Sequence, residues 1–215
     1  MRRLQRILLV SALLLATSAS ARSLEELERT LARTPPVSTR FVEYRFSHIL
    51  KKPLRTSGTM EYRADGVLAR TVEAPFREIT EVQGSTVRIT RGDKPTRTLS
   101  LDRAPQMRLL LDSFRALLDG RLTPLERDFQ VTLAEQGEEW QLTLIPRDPG
   151  LGRHLRSIDV YGAGDRPRCI EAVEGDGDAA FTLLDEASEV AASPTRPQLE
   201  ERCRPSSGAA GSKPR

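Results

Sequence analysis

Residues that most catalytic and metal sites depend on are scarce in this sequence. It has two histidines, two cysteines and one tryptophan in 215 residues, and aromatic residues make up 5% of the chain. No Gly-x-Ser-x-Gly motif surrounds a serine, and no cysteine–histidine spacing suits a zinc site. His48 and His154 lie among basic residues, away from any recognised nucleophile motif. We therefore expect no catalytic residues, no metal, no cofactor and a protein that is not an enzyme.

The acidic run Glu174–Asp178 (EGDGD) resembles part of a calcium-binding loop. An EF-hand loop requires a glutamate at its twelfth position, and that position is Asp185 when counted from Glu174. Gly and Asp are also the residues that tight turns favour, because they tolerate a positive φ. We interpret the run as a hairpin turn.

The sequence also lacks a basic domain, although its formal net charge is +3. Arg2, Arg3 and Arg6 stand at the amino end, and without them the basic and acidic residues balance. The segment from Ser193 onward has five basic residues against two glutamates, so the part between the two ends is net negative. Nucleic acid is not an expected partner, because a nucleic-acid-binding domain needs a basic face.

Long hydrophobic runs are absent apart from the ten residues Ile7–Ala16, which follow the first arginines. Ten apolar residues are too few to span a bilayer. The run ends at Ala19-Ser20-Ala21, the pattern of a signal-peptidase site, and no cysteine follows it. We expect residues 1–21 to be a signal peptide that is cleaved after Ala21 and the mature protein to be periplasmic. The alternative is an uncleaved anchor helix.

The chain after the signal predicts many short strands and few helices. Ser23 and Glu26 form a capping box that predicts a helix to about Arg33, and segments such as 40–50 alternate apolar and polar residues. Residues 104–120 instead have apolar residues at helical spacing. We expect a mainly β (α+β) fold. It would be a large curved antiparallel sheet forming an incomplete barrel, with two or three helices covering a hydrophobic concave face.

Composition divides the chain into three parts. Residues 1–21 are the signal peptide, residues 22–190 the folded domain, and residues 191–215 a tail rich in Pro, Ser, Gly and Arg that we expect to be disordered.

An exported protein can form disulfides. Cys169 and Cys203 can therefore pair and hold the tail against the domain, or both can stay free.

Short motifs follow one another in a fixed order from about residue 22 to residue 187. They are a strand with Phe41, Gly58-Thr-Met60-Glu-Tyr62 with Leu68 after the turn, Pro75 and Gly84 around the next strand, Leu117-Leu118-Asp119-Gly120 at a helix end, Trp140-x-Leu-x-Leu-x-Pro146, and Ile170–Glu174. In this order they resemble the outer-membrane lipoprotein carrier family (LolA-like), in a divergent branch. The family's turn usually carries an Arg-Pro pair whose arginine holds a helical lid. The matching residues here are Ala64 and Asp65, and Arg63 stands one position early.

The resemblance implies a carrier that shields the acyl chains of lipoproteins in a hydrophobic cavity. Its cargo would come from an inner-membrane exporter and pass to an outer-membrane receptor, and the carrier would act as a monomer. The predicted cavity residues are Phe41, Val42, Tyr44, Met60, Tyr62, Leu68, Ile79, Val87, Ile89, Leu110, Leu111, Phe114 and Leu117. Strand parity leaves open which of them face the cavity. The alternatives are a carrier of another lipid or polyene lipid, a periplasmic hydrolase with an acyl pocket, and a structural envelope protein with a solid core.

Overall fold

The computed structural model describes residues 23–103, 105–189 and 193–204, and within them eleven strands form one antiparallel sheet. The predicted signal peptide lies outside the described residues. The strand order is β6-β5-β4-β3-β2-β1-β11-β10-β9-β8-β7, and the sheet is not closed into a barrel. The strands are β1 Val37–Phe46, β2 Leu54–Tyr62, β3 Leu68–Ala74, β4 Glu78–Gln83, β5 Thr86–Arg91, β6 Arg97–Ser100, β7 Phe129–Gln136, β8 Glu139–Pro146, β9 Leu155–Ala163, β10 Arg166–Glu174 and β11 Ala179–Leu184. The predicted fold class is confirmed.

Four α-helices accompany the sheet in the described residues: α1 Leu24–Leu31, α2 Pro105–Asp119, α3 Pro149–Gly152 and α4 Arg196–Cys203. The predicted capping box of α1 is present, because the Glu26 amide donates to Ser23 Oγ at 3.2 Å and the Ser23 amide donates to Glu26 Oε2 at 2.9 Å. Residues Thr123–Arg127 form a 3₁₀ turn without a side-chain cap. None of the described helices has the length and apolar character that a membrane span requires.

The segment between β6 and β7 crosses the sheet, because these two strands are its opposite edges. It contains α2, which packs against β2 near the middle of the sheet and against α1. We call the face beneath α1 and α2 the inner face. Its main cluster, the first cluster, joins β1–β3 and β7–β11 to the helices. Its strand and helix members include Phe41, Met60, Val72, Trp140, Leu142, Leu144, Ile158, Val160, Leu27, Leu31 and Leu117.

A second cluster lies on the opposite, outer face of the sheet. It contains Val42, Tyr44, Tyr161, Cys169, Ala179, Phe181 and Leu183 from the strands, together with Leu199 and Cys203 from α4. A smaller third cluster of Leu68, Val82, Val87 and Leu101 lies on the inner face, at the β3–β5 end of the sheet.

The prediction of a disordered tail from residue 191 is wrong for residues 193–204, which include the ordered helix α4. Leu199 of α4 is fully buried, and Cys203 forms a disulfide with Cys169 of β10. One apolar anchor and one covalent bond are enough to dock a short helix whose overall composition is polar. Residues 205–215 lie outside the described residues.

The helix α4 also covers ionisable groups on the outer face. Burial raises the pKa of the Glu171 carboxyl and of the Tyr161 hydroxyl above their ordinary values. Arg196 of α4 stands 3.7 Å from Glu171, and Arg204 hydrogen-bonds Tyr161. A buried carboxylate without a partner destabilises a fold. The two arginines therefore supply positive charge beside the Glu171 carboxylate.

Replacing both Cys169 and Cys203 with serine is expected to lower the free energy of unfolding by about 2–4 kcal/mol, because the disulfide closes a loop of 34 residues. Urea melts measure this loss, and hydrogen exchange should rise first in residues 196–203. Wild-type protein treated with a reducing agent is the matched control and should show the same loss. An unchanged melt in both samples would contradict a stabilising role for the bond.

Candidate functional site

The amphipathic helix α2 joins two apolar clusters on the inner face. Leu109, Ala116 and Leu117 belong to the first cluster, whereas Leu111 packs against the third cluster on the β3–β5 side. The helix therefore bridges two separate apolar surfaces.

The structure sorts the predicted cavity residues by face. Phe41, Met60 and Leu117 lie in the first cluster, and Leu68, Val87, Ile89 and Leu111 lie in or against the third. Tyr62 is buried on the inner face beside α2. The side chains of Leu110 and Phe114 lie outside the described residues.

Three of the predicted cavity residues lie on the outer face and are removed from the candidate lining. Val42 and Tyr44 pack in the second cluster. Ile79 has the opposite parity to Val82 of the same strand, which packs in the third cluster. Side chains alternate between the faces of a strand, so residues one or three positions from an inner residue must face outward. The sequence pattern missed this because both faces of the sheet are covered.

A polar group marks the limit of the apolar inner face. Arg70 Nη2 lies 3.3 Å from Glu43 Oε2 and 3.3 Å from Thr56 Oγ1, and its guanidinium stacks 4.4 Å from the Phe41 ring centroid. Thr182 donates to the same Glu43 carboxylate at 3.4 Å. An apolar molecule lying on the inner face would meet a partly buried cation and hydroxyl groups here. The sequence reasoning did not identify these residues, which are distant along the chain.

The middle of α2 is held to the β2–β3 turn by Arg115. Arg115 Nη2 donates to the Gly66 carbonyl at 3.2 Å, and the guanidinium lies 5.7 Å from the Tyr62 ring centroid. We call this pair of interactions the latch contact. Arg63, which was considered for this role, instead pairs with Glu81 at 2.9 Å and Glu61 at 3.3 Å. The arginine that joins turn and helix therefore comes from the helix.

The carboxyl end of α2 is fixed against α1. Gly120 has a φ of +69°, and a Cβ at this position would lie 2.4 Å from the Cα of Ala32. Glycine is needed here for both the left-handed conformation and the close approach. Asp119 accepts hydrogen bonds from the Arg121 backbone and guanidinium at 2.6–3.1 Å and fixes the following turn. The Leu-Leu-x-Gly motif therefore reflects helix packing.

Asp112 is a half-buried carboxylate on α2. Burial raises its pKa above the ordinary value, while the nearby guanidinium groups of Arg115 and Arg108 oppose the shift.

His48, Asp176 and Asp178 bring their ligand atoms within 4.8 Å of one another at the β10–β11 turn. Asp178 Oδ1 lies 2.9 Å from His48 Nδ1 and accepts the His48 amide at 2.9 Å, and Asp176 accepts the Asp178 amide at 3.0 Å. Three side chains at this distance could reach one cation. Hydrogen bonds from Ser47 and His48 already occupy the Asp178 carboxylate, and Gly177 has a φ of +93°. The acidic run is thus a hairpin turn that also anchors the end of β1.

Replacing Arg115 with methionine is expected to raise the hydrogen exchange of α2 amides about tenfold or more. The change keeps the aliphatic stem but removes a charged hydrogen bond, which contributes about 1.5–3 kcal/mol. Exchange measured by mass spectrometry on peptides of α2 tests this. Arg127→Met is the control, because the Arg127 guanidinium hydrogen-bonds the adjacent Asp128. Equal protection of α2 in both variants would show that the latch contact does not hold the helix.

The Asp178→Asn variant is expected to lower the pKa of His48, because the hydrogen bond and charge of Asp178 raise it. In the wild type, hydrogen bonds from Ser47 and His48 lower the pKa of Asp178 to about 2. The pair should therefore stabilise the fold between about pH 4 and 6.5, and its contribution should fall as pH rises through the folded His48 pKa. NMR titration of the His48 ring measures this shift. Asp176→Asn should lower the His48 pKa less than Asp178→Asn does. An unchanged His48 pKa in the Asp178→Asn variant would disprove the pairing.

Three comparisons with known proteins bear on this architecture. Residues 16–205 match the family model described as "Outer membrane lipoprotein carrier protein LolA-like". No curated protein sequence matches the chain significantly.

Several solved structures are similar to this chain at low sequence identity. A LolA superfamily protein, NE2245 from Nitrosomonas europaea, has 9% identity and a TM-score of 0.39, covering 77% of this chain and 93% of its own. LprF from Mycobacterium bovis has 13% identity and a TM-score of 0.34, covering 80% and 96%. MucB in the Pseudomonas aeruginosa MucA/MucB complex has 13% identity and a TM-score of 0.34, covering 84% and 62%. The family model alone spans most of the sequence, and the chain belongs to the LolA-like outer-membrane lipoprotein carrier family.

Proposed function

We propose that this protein is a periplasmic carrier that holds acyl chains between α2 and the inner face of the sheet. The observation that carries the proposal is the position of α2, an amphipathic helix laid across the sheet between two apolar clusters. Family membership supports the same class of function, since LolA-like proteins are periplasmic carriers. In this proposal the cargo is an acylated lipoprotein moved from the inner to the outer membrane, and the carrier works as a monomer between an exporter and a receptor.

Burial of the acyl chain provides the driving force. Each CH₂ group removed from water contributes about 0.8 kcal/mol, so a chain of about sixteen carbons gains on the order of 12 kcal/mol before ordering costs. The first cluster contains side chains with no solvent exposure, including Trp140, Leu142 and Ile158, so opening it would expose a dense core. The third cluster has four buried members. We therefore place the acyl chain between α2 and β3–β5, where less packing is lost when the helix moves.

The proposed lining combines the inner-face residues with a polar end. It consists of Tyr62, Leu68, Val87, Ile89 and Leu111, with Leu110 and Phe114 as predictions from helical spacing alone. Phe41, Met60 and Leu117, which belong to the first cluster, form its border. Arg70, Glu43 and Thr56 border this surface. The polar atoms at the head of an acylated molecule can face these groups while its chain covers the apolar floor. A carrier needs no reacting group, and we propose that the protein is not an enzyme.

Leu111→Asp is expected to weaken binding of a fluorescent fatty acid by at least tenfold, because it puts a carboxylate where the chain must lie and desolvation of a charge is costly. A fluorescence titration of the mature protein measures the affinity. Ile145→Asp is the matched control, since Ile145 is an exposed apolar residue on β8, away from α2. Circular dichroism should show that both variants fold.

The outcome separates the alternatives. Wild-type protein that binds no apolar probe would overturn the carrier proposal and favour a structural protein with a solid core. Mass spectrometry of lipid that copurifies with the wild type distinguishes the cargo classes. An acylated protein would support lipoprotein transport, whereas a free lipid or polyene lipid would support the alternative carrier.

A further inference from the structure

The turn between β1 and β2 exposes an unusual concentration of apolar side chains. We call residues 47–55 the hairpin tip. Ile49 is 79% exposed, Leu50 42% and Leu54 42%. They are three of the six large apolar side chains that are exposed in the described part of the chain. The other three are dispersed, at Phe76, Leu99 and Ile145. Apolar residues scattered singly on a surface need no explanation, but a cluster of them marks an interaction site.

The hairpin tip is also positively charged. Lys51, Lys52 and Arg55 lie within it, and the sequence has no acidic residue between Glu43 and Glu61. Among the ion pairs of the described residues, none involves these three cations. Several nearby charged residues are already paired: Arg45 with Glu174, His48 with Asp178, and Arg196 with Glu200. The Asp176 carboxylate lines the same cleft as Lys51 and Lys52. The tip therefore offers cations that the fold itself does not use.

The base of the hairpin tip is anchored, and Ile49 near its apex is exposed. The two hydrogen-bond contacts between His48 and Asp178 fix the start of the loop to the β10–β11 turn. A cleft of about 690 Å³ separates Leu50–Pro53 from Pro194–Arg196. The tip lies at the opposite end of β2 from the latch contact, and eight residue steps of a strand span roughly 27 Å. Contacts at the tip can thus form without disturbing α2.

We propose that the hairpin tip docks the protein on an anionic phospholipid surface. Ile49 and Leu50 enter the interface of the bilayer, while Lys51, Lys52 and Arg55 remain at the level of the lipid phosphates. Aliphatic side chains beside lysines are the combination that binds such surfaces, because apolar burial and attraction to anionic headgroups add together. The inference is separate from the proposed cargo, since it concerns a different surface of the molecule.

The charge of the remaining chain favours one orientation of the protein on an anionic surface. Residues 23–204 contain more acidic than basic residues, although the hairpin tip contains basic residues alone. An anionic surface therefore repels most of the domain and attracts the tip. The protein would stand on the membrane by one end of the β1–β2 hairpin and keep the inner face and α2 clear of the lipid.

Cosedimentation of the mature wild-type protein with vesicles tests the proposal. Vesicles of phosphatidylglycerol and phosphatidylcholine should bind the protein, and vesicles of phosphatidylcholine alone should bind it much less. The Lys51→Gln, Lys52→Gln double variant should bind about 25-fold more weakly, from about fivefold for each lysine. Raising the ionic strength from about 0.01 M to about 1 M should weaken binding of the wild type, because the Debye length falls from about 30 Å to about 3 Å.

Matched variants separate docking from general stickiness and from cargo binding. Ile49→Ser with Leu50→Ser should reduce vesicle binding about tenfold or more, whereas Ile145→Ser, an exposed apolar residue elsewhere, should not. Lys94→Gln is the control for the lysines. Fatty-acid binding should be the same in the tip variants as in the wild type. Absence of wild-type binding to anionic vesicles, or equal binding by the tip variants, would overturn the proposal and leave the carrier function untouched.

Discussion

The connection between β6 and β7 is the constraint on which the architecture depends. These strands form the two edges of an eleven-stranded sheet, so the chain must travel from one edge to the other between residues 100 and 129. All other connections between consecutive strands join neighbours in the sheet. The crossing segment carries apolar residues along one side, and these residues need a surface to bury them. The topology therefore places α2 on the inner face and makes it the cover of that face.

Specific contacts hold α2 at two points along its length. Its carboxyl end meets α1 through Gly120, where the backbones are too close for a side chain. Its middle meets the β2–β3 turn through Arg115 and the carbonyl of Gly66. Leu111, which precedes both contacts along the helix, packs on the aliphatic side chains of the third cluster, and such contacts have no directional preference. In the proposed function, an acyl chain would replace these non-directional contacts while the directional ones hold the helix in place.

The sequence predicted the positions of strands and helices better than it predicted which face of the sheet each strand residue occupies. Alternation and helical spacing predicted the sheet and α2, and Ser23 with Glu26 predicted the start of α1. Parity was ambiguous because apolar residues occupy both faces, and Tyr44 is as deeply buried on the outer face as Phe41 is on the inner one. The tail was misjudged for a related reason. Composition averages over a segment, whereas Leu199 and the bond from Cys203 to Cys169 dock α4 through two positions.

The first and third clusters of the inner face differ in their packing and in their surroundings. The first cluster includes Trp140, whose indole Nε1 donates to the Gly164 carbonyl at 3.1 Å and whose ring lies so close to Gly162 that a Cβ there would clash. Such packing fixes the sheet and resists opening. The third cluster rests on short strands near the β6 edge, and β6 itself is exposed along its whole length. In the proposed function, stability and access for the acyl chain would therefore depend on different parts of the same sheet.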